Sequence, residues 1–435
     1  MSETIVALST GALPSGVAII RISGPETRGL LEELTGPLPW ARRLALRSIG
    51  ETDRGLVAWF PAPHSFTGED CAELHVHGSR AVVRGLLRRL TSVPGVRLAA
   101  AGEFTRRAFE NGKLDLTEVQ GLGDLLASDT ENQRAIAYAR LEGGLSRQVE
   151  GWRERLLDLR AELEAQLDFS DEDDVGSLPL EFVPAIHSLR SDIVRVAESQ
   201  SQGRILREGF RVVLAGAPNV GKSSLLNALS RSDVAIVSDE EGTTRDLKEV
   251  ALDVDGQLVL LVDSAGIRAA SSKAERIGVD RARAAMANAD LVLWLEAPDV
   301  EIGDPSTLHV SANEHADGPP LVRVGTKCDL GAVSGVEISV SAATGDGVAA
   351  LLNRVLDISG TRSINPASVL VSHEADRIAL LTACSALRDA ASDVGAPELA
   401  AENLRRASAS LERLLGKMDA EAVLGRLFQS FCIGK

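Results

Sequence analysis

At 435 residues, 44% hydrophobic and 25% charged, the chain is that of a globular protein of two to three domains, and a mainly disordered, collagen-like or disulfide-stapled polypeptide is excluded. A net charge of −16 excludes a protein that coats nucleic acid over its whole surface, so any RNA partner is expected on a local patch or through a second protein. Met1-Ser2-Glu3-Thr4 lacks the segments of a secretory signal, no apolar run reaches the ~18 residues of a membrane span, and Cys71, Cys328, Cys384 and Cys432 form no CxxC pair; a cytoplasmic protein with reduced thiols and no membrane partner is expected.

Residues 1–118 read as mixed α/β, with 14 basic against 13 acidic residues. Positions 17–22 and 72–77 have strand character, the latter with period 2, and 80–90 carries Val82, Val83, Leu86, Leu87 and Leu90 at helical spacing. From about Leu116 the pattern becomes long helix. Leu145, Val149, Trp152, Leu156, Leu159 and Leu163 mark one face, and the helix is expected to break in the acidic stretch 168–174. That stripe suits packing against the C-terminal helices better than a dimer seam, and the acidic stretch reads as a solvated loop.

Between 207 and 359 short apolar runs (210–215, 258–262, 291–295, 321–324, 336–339) alternate with helical or turn segments, the pattern of a parallel sheet flanked by helices. This part is acidic, with 23 acids against 14 bases. After Pro366 the chain is helical again, with Leu404, Leu411, Leu414, Leu415 and Met418 on one face, followed by Val423, Leu427 and Phe431. The expected fold is therefore multidomain, α/β and all-α. It has an N-terminal α/β domain at 1–118, a discontinuous helical domain at 119–206 plus 362–435, and an inserted α/β domain at 207–361.

The inserted domain opens with a buried-strand pattern running into Gly216-Ala217-Pro218-Asn219-Val220-Gly221-Lys222-Ser223, the GxxxxGK[ST] phosphate-binding loop in its strand–loop–helix context. Its amides can cradle phosphate oxygens, Lys222 can reach the β/γ-phosphates and the Ser223 hydroxyl can hold Mg²⁺. Asp263-Ser264-Ala265-Gly266 supplies DxxG, with Asp263 toward Mg²⁺ through water and the Gly266 amide toward the γ-phosphate. Gly242-Thr243-Thr244-Arg245-Asp246 lies between them and can complete the Mg²⁺ shell. Thr326-Lys327-Cys328-Asp329 takes the place of the guanine-reading NKxD, Asp329 accepting from guanine N1–H and N2–H₂, and Ser341-Ala342-Ala343 supplies the last base-contacting loop. Thr326 replaces the usual Asn, a change that Rho-type GTPases tolerate; an ATP-specific site is the alternative. The insert is thus expected to be a Ras-like P-loop GTPase domain.

Ile267 stands where Ras-like enzymes keep the glutamine that orients water. Another device is required. Asn219, with Ser238 and carbonyls of the following loop, can coordinate a monovalent cation beside the β–γ bridge. Glu275 is the best carboxylate for orienting water, although spacing alone fits a solvated helix residue as well.

End to end, the chain resembles the MnmE (TrmE) family of tRNA modification GTPases. The resemblance is carried by Pro218–Asn227, by Gly242-Thr243-Thr244-Arg245-Asp246, by Ile20-Arg21-Ile22-Ser23-Gly24, and by Ser65-Phe66-Thr67-Gly68-Glu69-Asp70. It extends to Gly102-Glu103-Phe104-Thr105-Arg106-Arg107-Ala108-Phe109, Asn111-Gly112-Lys113-Leu114-Asp115-Leu116 and the terminal Phe431-Cys432-Ile433-Gly434-Lys435. Thr10-Gly11-Ala12-Leu13-Pro14-Ser15-Gly16 departs from the usual Gly- and Arg-rich loop, as Thr326 departs from Asn.

The resemblance implies a homodimeric, potassium-activated GTPase whose N-terminal domain binds folate and dimerises. With an FAD-dependent partner, MnmG (GidA), the family forms 5-carboxymethylaminomethyl- or 5-aminomethyluridine at the tRNA wobble position. GTP hydrolysis to GDP and phosphate drives conformational change, a 5-formyl- or 5,10-methylene-tetrahydrofolate supplies the one-carbon unit, and tRNA is engaged through the complex. Carried over by motif, the nucleotide set is Gly216, Asn219, Val220, Gly221, Lys222, Ser223, Ser224, Ser238, Thr243, Thr244, Asp263, Ser264, Ala265, Gly266, Thr326, Lys327, Asp329, Ser341, Ala342 and Ala343. Potassium falls to Asn219, Ser238, Glu240 (through its carbonyl) and Thr243, and Mg²⁺ to Ser223 and Thr244. Catalysis falls to Glu275, Lys222 and Gly266, and folate to Arg21, Glu73, Lys113 and Lys435.

Four of the chain's seven lysines, Lys113, Lys222, Lys327 and Lys435, stand at these positions. Cys432 is either a functional thiol near the folate or a small buried residue. His75 and His77 share a strand face with Glu73, without a further metal ligand in view. Two other functions compete: an Era- or Der-type RNA-binding GTPase, which needs a KH-like module where 367–435 reads as amphipathic helix, and a folate-binding scaffold with a vestigial GTPase domain.

Overall fold

Six strands of the N-terminal stretch, β1 (Thr4–Leu8), β2 (Ser15–Ser23), β3 (Ala45–Ile49), β4 (Asp53–Phe60), β5 (Cys71–Gly78) and β6 (Val96–Leu98), form one sheet in the order β3-β4-β5-β2-β1-β6. All neighbours are antiparallel except β1 and β6. The computed structural model of the chain describes residues 3–168, 178–236, 249–263, 288–301, 319–417, 431 and 434. It divides into two units: Met1–Gly123 with Leu145–Val183 and Ser385–Lys435, and Asp124–Gly144 with Pro184–Cys384.

In the first unit β2 and β5, the two strands expected from sequence, hold the centre of the sheet. Ile20, Ile22 and Leu74 on them are fully buried against Leu30 and Leu31 of α1 (Thr27–Thr35) and Val83, Leu86 and Leu90 of α2 (Arg80–Thr91). The α2 stripe lies where its periodicity put it, and the Ser79 side chain caps the helix by accepting from the Ala81 amide.

Behind this sheet an ionic network stands on α3 (Glu103–Glu110). The buried Arg107 donates to the Glu69 carboxylate at 2.8 Å, to Glu103 at 3.2 Å and to the Glu3 carbonyl at 2.8 Å. Arg97 donates to both Glu103 oxygens, at 2.6 and 2.8 Å. Burial alone would raise the Glu103 carboxyl, but hydrogen bonds from Arg97, the Ala100 amide and Arg107 outweigh it and lower it from 4.5 to about 2. A folded-state value below the unfolded one contributes stability above pH 4.5, and that contribution disappears as pH falls toward 2. Glu103→Gln is therefore expected to cost about 1.5–3 kcal/mol at pH 7, the scale of lost hydrogen bonds to a charged group. The difference from the parent should shrink through the same window, as urea denaturation at a series of pH values will measure.

The long helix expected from Leu116 is three helices: α4 (Leu116–Leu126), α5 (Glu131–Leu141) and α6 (Gly144–Asp168). A Thr130–Gln133 capping box restarts the chain at α5, and Gly143 at φ 74° ends the connection to α6. The six stripe residues of α6 are all buried. Arg153 pairs with Glu412 at 3.0 Å and Glu150 with Lys417 at 2.6 Å, tying α6 to the helix Pro397–Leu414 and its end. This is intramolecular packing, as expected, and not a dimer seam.

In the second unit, after α7 (Phe182–Glu198) and α8 (Gln200–Glu208), the strands β7 (Phe210–Gly216), β8 (Glu249–Val254), β9 (Gln257–Asp263), β10 (Leu291–Glu296), β11 (Leu321–Gly325) and β12 (Ile338–Ser339) form a sheet in the order β12-β11-β10-β7-β9-β8. It is parallel except for β8, an antiparallel edge absent from the sequence reading. The strand expected at 336–339 is only the two residues of β12. Every residue of β10 is buried, as a central strand covered on both faces requires. Among the described residues no helix is long and apolar enough to cross a membrane.

Candidate nucleotide site

At the C-terminal end of β7 the chain turns through Gly216, Asn219 and Gly221, at φ 140°, 65° and 96°, before α9 (Lys222–Leu229) begins. A Cβ on Gly216 would meet the Leu295 carbonyl oxygen at 2.4 Å, so this glycine is needed for the close approach of β10. Gly221 is the helix N-cap in the left-handed conformation, so the first amides of α9 open toward the loop. Lys222 is buried, and its ammonium donates to the Gly216 and Ala217 carbonyls, each at 2.8 Å.

One residue on, the Ser223 hydroxyl donates to the Asp263 carboxylate at 2.8 Å. Asp263 is brought there by strand register, standing opposite Leu214 where β9 runs beside β7, and it is 1% exposed. A hydroxyl and a carboxylate at a helix N-terminus are hard oxygen donors suited to Mg²⁺, so this pair fits the expected ion. Asn219 is exposed.

Thr326, in the place of the usual asparagine, is buried. Its hydroxyl lies within hydrogen-bond distance of the Val220 carbonyl and, at 3.0 Å, of the Glu296 carbonyl, while its amide donates to Glu296 O at 2.7 Å. It thus ties the phosphate loop to the end of β10. Asp329 accepts from the Ser341 hydroxyl at 2.5 Å, and Ser341 Oγ in turn accepts from the Ala343 and Thr344 amides. The two expected base-contacting loops are therefore joined. Lys327, at φ 53°, pairs with Asp299 at 2.7 Å, and the Lys327 ammonium holds the Asp299 carboxyl below its ordinary range. Asp299 and the buried Glu296, which pairs with Arg323 at 2.9 Å, escaped the sequence reading because acids at or just after a strand's end carry no distinctive spacing. Ser238, Glu240, Thr243, Thr244, Ser264, Ala265, Gly266 and Glu275 lie outside the described residues, as do Cys432 and Lys435.

In the first unit, Arg21 and Glu73 are cross-strand partners in the β2–β5 register, with Arg21 donating to Glu73 at 3.0 and 3.2 Å. His75 Nε2 is 3.2 Å from the other Glu73 oxygen, and the Arg21 guanidinium lies 5.6 Å from the Phe66 ring and 5.7 Å from the Phe104 ring. Lys113 packs beside Gly68, in the same loop as Phe66, so three of the four expected folate residues gather around one loop and strand pair. Gly434 reaches the end of β1, accepting from the Ser9 hydroxyl at 2.9 Å. His77 turns instead to Asp53 at 2.9 Å, and no group of three metal-ligating side chains occurs among the described residues.

Comparison with known proteins accords with this geometry. A family model described as the MnmE helical domain matches residues 116–432, and one described as the GTP-binding protein TrmE N-terminus matches residues 4–113. The curated tRNA modification GTPase MnmE of Rhizobium johnstonii is 48% identical over 444 residues, covering 100% of this chain and 99% of that protein. That of a Chelativorans species is 46% identical over 445 residues, covering 100% and 98%.

Proposed function

This chain belongs to the tRNA modification GTPase MnmE family and is a GTP hydrolase acting in tRNA modification; on that premise we propose that it is a potassium-activated GTPase working as a homodimer with the FAD-dependent MnmG (GidA). The product is 5-carboxymethylaminomethyl- or 5-aminomethyluridine at the tRNA wobble position, in the cytoplasm. The observation that supports this reading most directly is the Ser223–Asp263 pair at the start of α9, beside the buried Lys222. Ser223 and Thr244 would hold Mg²⁺, with Asp263 acting through water, and the ion would supply charge that offsets the triphosphate. Lys222 and the amides of the glycine loop orient the β- and γ-phosphates, Asp329 selects guanine, and Glu275 orients water, with the Gly266 amide at the γ-phosphate.

Asn219 is the side chain of this loop suited to seat K⁺, together with Ser238, Glu240 and Thr243. Its exposed position and left-handed backbone support that role. Arg21, Glu73, Lys113 and Lys435 bind the reduced folate, Arg and Lys matching its carboxylate tail and Glu73 its pterin donors. On this reading the domains run over 1–118, 119–206 with 362–435, and 207–361. The helical domain's continuity across the insert is supported by the pairs Arg153–Glu412 and Arg140–Asp376.

Replacing KCl by NaCl at constant ionic strength is expected to lower the GTP hydrolysis rate by about 10²-fold, the scale of one lost electrostatic stabiliser at the phosphates. Equal rates would remove potassium from the mechanism. Mass spectrometry of wobble uridines in a deletion strain tests the modification itself.

A further inference from the structure

Exposed arginines on the helices of this chain are habitually paired with an acid one turn away. Arg28 has Glu32, Arg106 has Glu110, Arg134 has Glu131, Arg195 has Asp192, Arg377 has Glu374 and Arg405 has Glu402, all at 3.3 Å or less. Helix α2 breaks the habit. Its twelve residues, Arg-Ala-Val-Val-Arg-Gly-Leu-Leu-Arg-Arg-Leu-Thr, include no acid. Arg80, Arg84 and Arg88 recur at i, i+4 and i+8 on the exposed side, opposite the buried Val83, Leu86 and Leu90. Among the described residues neither Arg84 nor Arg88 has a carboxylate within ion-pair distance. Arg80 donates to the Leu13 carbonyl, and Arg89, on the flank, reaches Glu33 at 3.4 Å.

Like charges one turn apart repel, and Arg80 stands at the positive end of the helix dipole, both unfavourable, although Arg88 and Arg89 in the last turn suit its negative end. An anionic ligand reverses the sign of both effects. We propose that the outward face of α2 docks the phosphate backbone of RNA, an assignment that rests on the tRNA reading above. Guanidinium groups recurring every ~6 Å along the axis present a row of positive charge to successive phosphates. Arginine forks suit phosphate oxygens, and the helix itself carries no aromatic or amide side chain to read bases. It also answers the charge problem of the chain: a net of −16 bars general RNA adhesion but permits a local basic strip on the one part whose bases outnumber its acids.

Arg84→Glu/Arg88→Glu in the full chain tests this, with binding to a tRNA transcript measured across a salt series. The expected result is at least ~10-fold weaker binding at low salt, and a plot of log K against log salt shallower by about 1.4–1.8 for two lost phosphate contacts. GTP turnover and thermal midpoint should be unchanged, and Arg84→Lys/Arg88→Lys should retain most of the slope. Parent-like affinity and slope in the Glu variant overturn the proposal. So does unchanged tRNA binding with loss of a protein partner, which makes the strip a protein contact. A parent chain that binds no tRNA likewise overturns it, while GTP turnover and wobble-uridine analysis report separately on the function it rests on.

Discussion

Asp376→Ala is expected to lower the stability of the second unit by about 3–5 kcal/mol, the cost of leaving a buried charge without its partner. Arg140, on α5, is 0% exposed and donates to Asp376 Oδ2 at 2.8 Å and to the Leu370 carbonyl at 2.6 Å. Asp376 sits in the first turn of the helix Glu374–Ser392, where its charge also suits the helix dipole. The partners are 236 residues apart, so one ion pair joins the helical chain before the GTPase insert to the helical chain after it. Removing the carboxylate takes the acidic partner from a buried guanidinium that still donates to the Leu370 carbonyl; Arg140→Met/Asp376→Leu removes both charges and should cost far less. Urea denaturation of the two variants and the parent measures the difference. A loss below ~1 kcal/mol in Asp376→Ala would show that the pair is dispensable. Against a total of about 5–15 kcal/mol for a domain, the expected loss is large enough to deplete the folded chain in cells.

What could be read beforehand follows the range of the interactions involved. The phosphate loop was legible because its requirements are local: left-handed turns at Gly216 and Gly221, a short reach for Lys222, and a strand running straight into it. The stripe of α6 was legible because burial repeats every three or four residues. Less visible were β3 and β4, whose exposed Leu46 and Leu56 face each other across the ladder and blur the alternation, and β8, whose two ends are Glu249 and Val254 on an edge. The breaks that make three helices of 116–168 depend on a capping box at Thr130 that the apolar pattern overrides to the eye. Long-range partnerships were invisible. Glu103, Arg107 and Glu69 were read only as pieces of family motifs, yet they form a buried ionic network; Gly434 meets Ser9 across 425 residues. Thr326 is legible only as a member of the guanine-reading motif; that its hydroxyl also reaches the phosphate loop is a long-range contact.

Lys222→Met is expected to lower kcat/KM for GTP by about 10²–10³-fold, the scale of losing one preorganised donor at the transferring phosphate. The ammonium is held against the Gly216 and Ala217 carbonyls at 2.8 Å each, inside a loop whose other donors are backbone amides. That places a compact positive charge where phosphate oxygens are expected, with little reorganisation needed on binding. Methionine keeps the length and apolar stem but cannot satisfy those carbonyls, so a stability loss of about 1–3 kcal/mol should accompany the kinetic one. Arginine should fail to restore turnover, because a planar guanidinium cannot take the place of a point charge enclosed by two carbonyls. Phosphate release and binding of a fluorescent GTP analogue separate the effects. The chemical step should suffer more than ground-state affinity, since charge grows on the phosphates as the bond breaks. Turnover within tenfold of the parent in a folded Lys222→Met chain would show that the loop amides alone carry the phosphates.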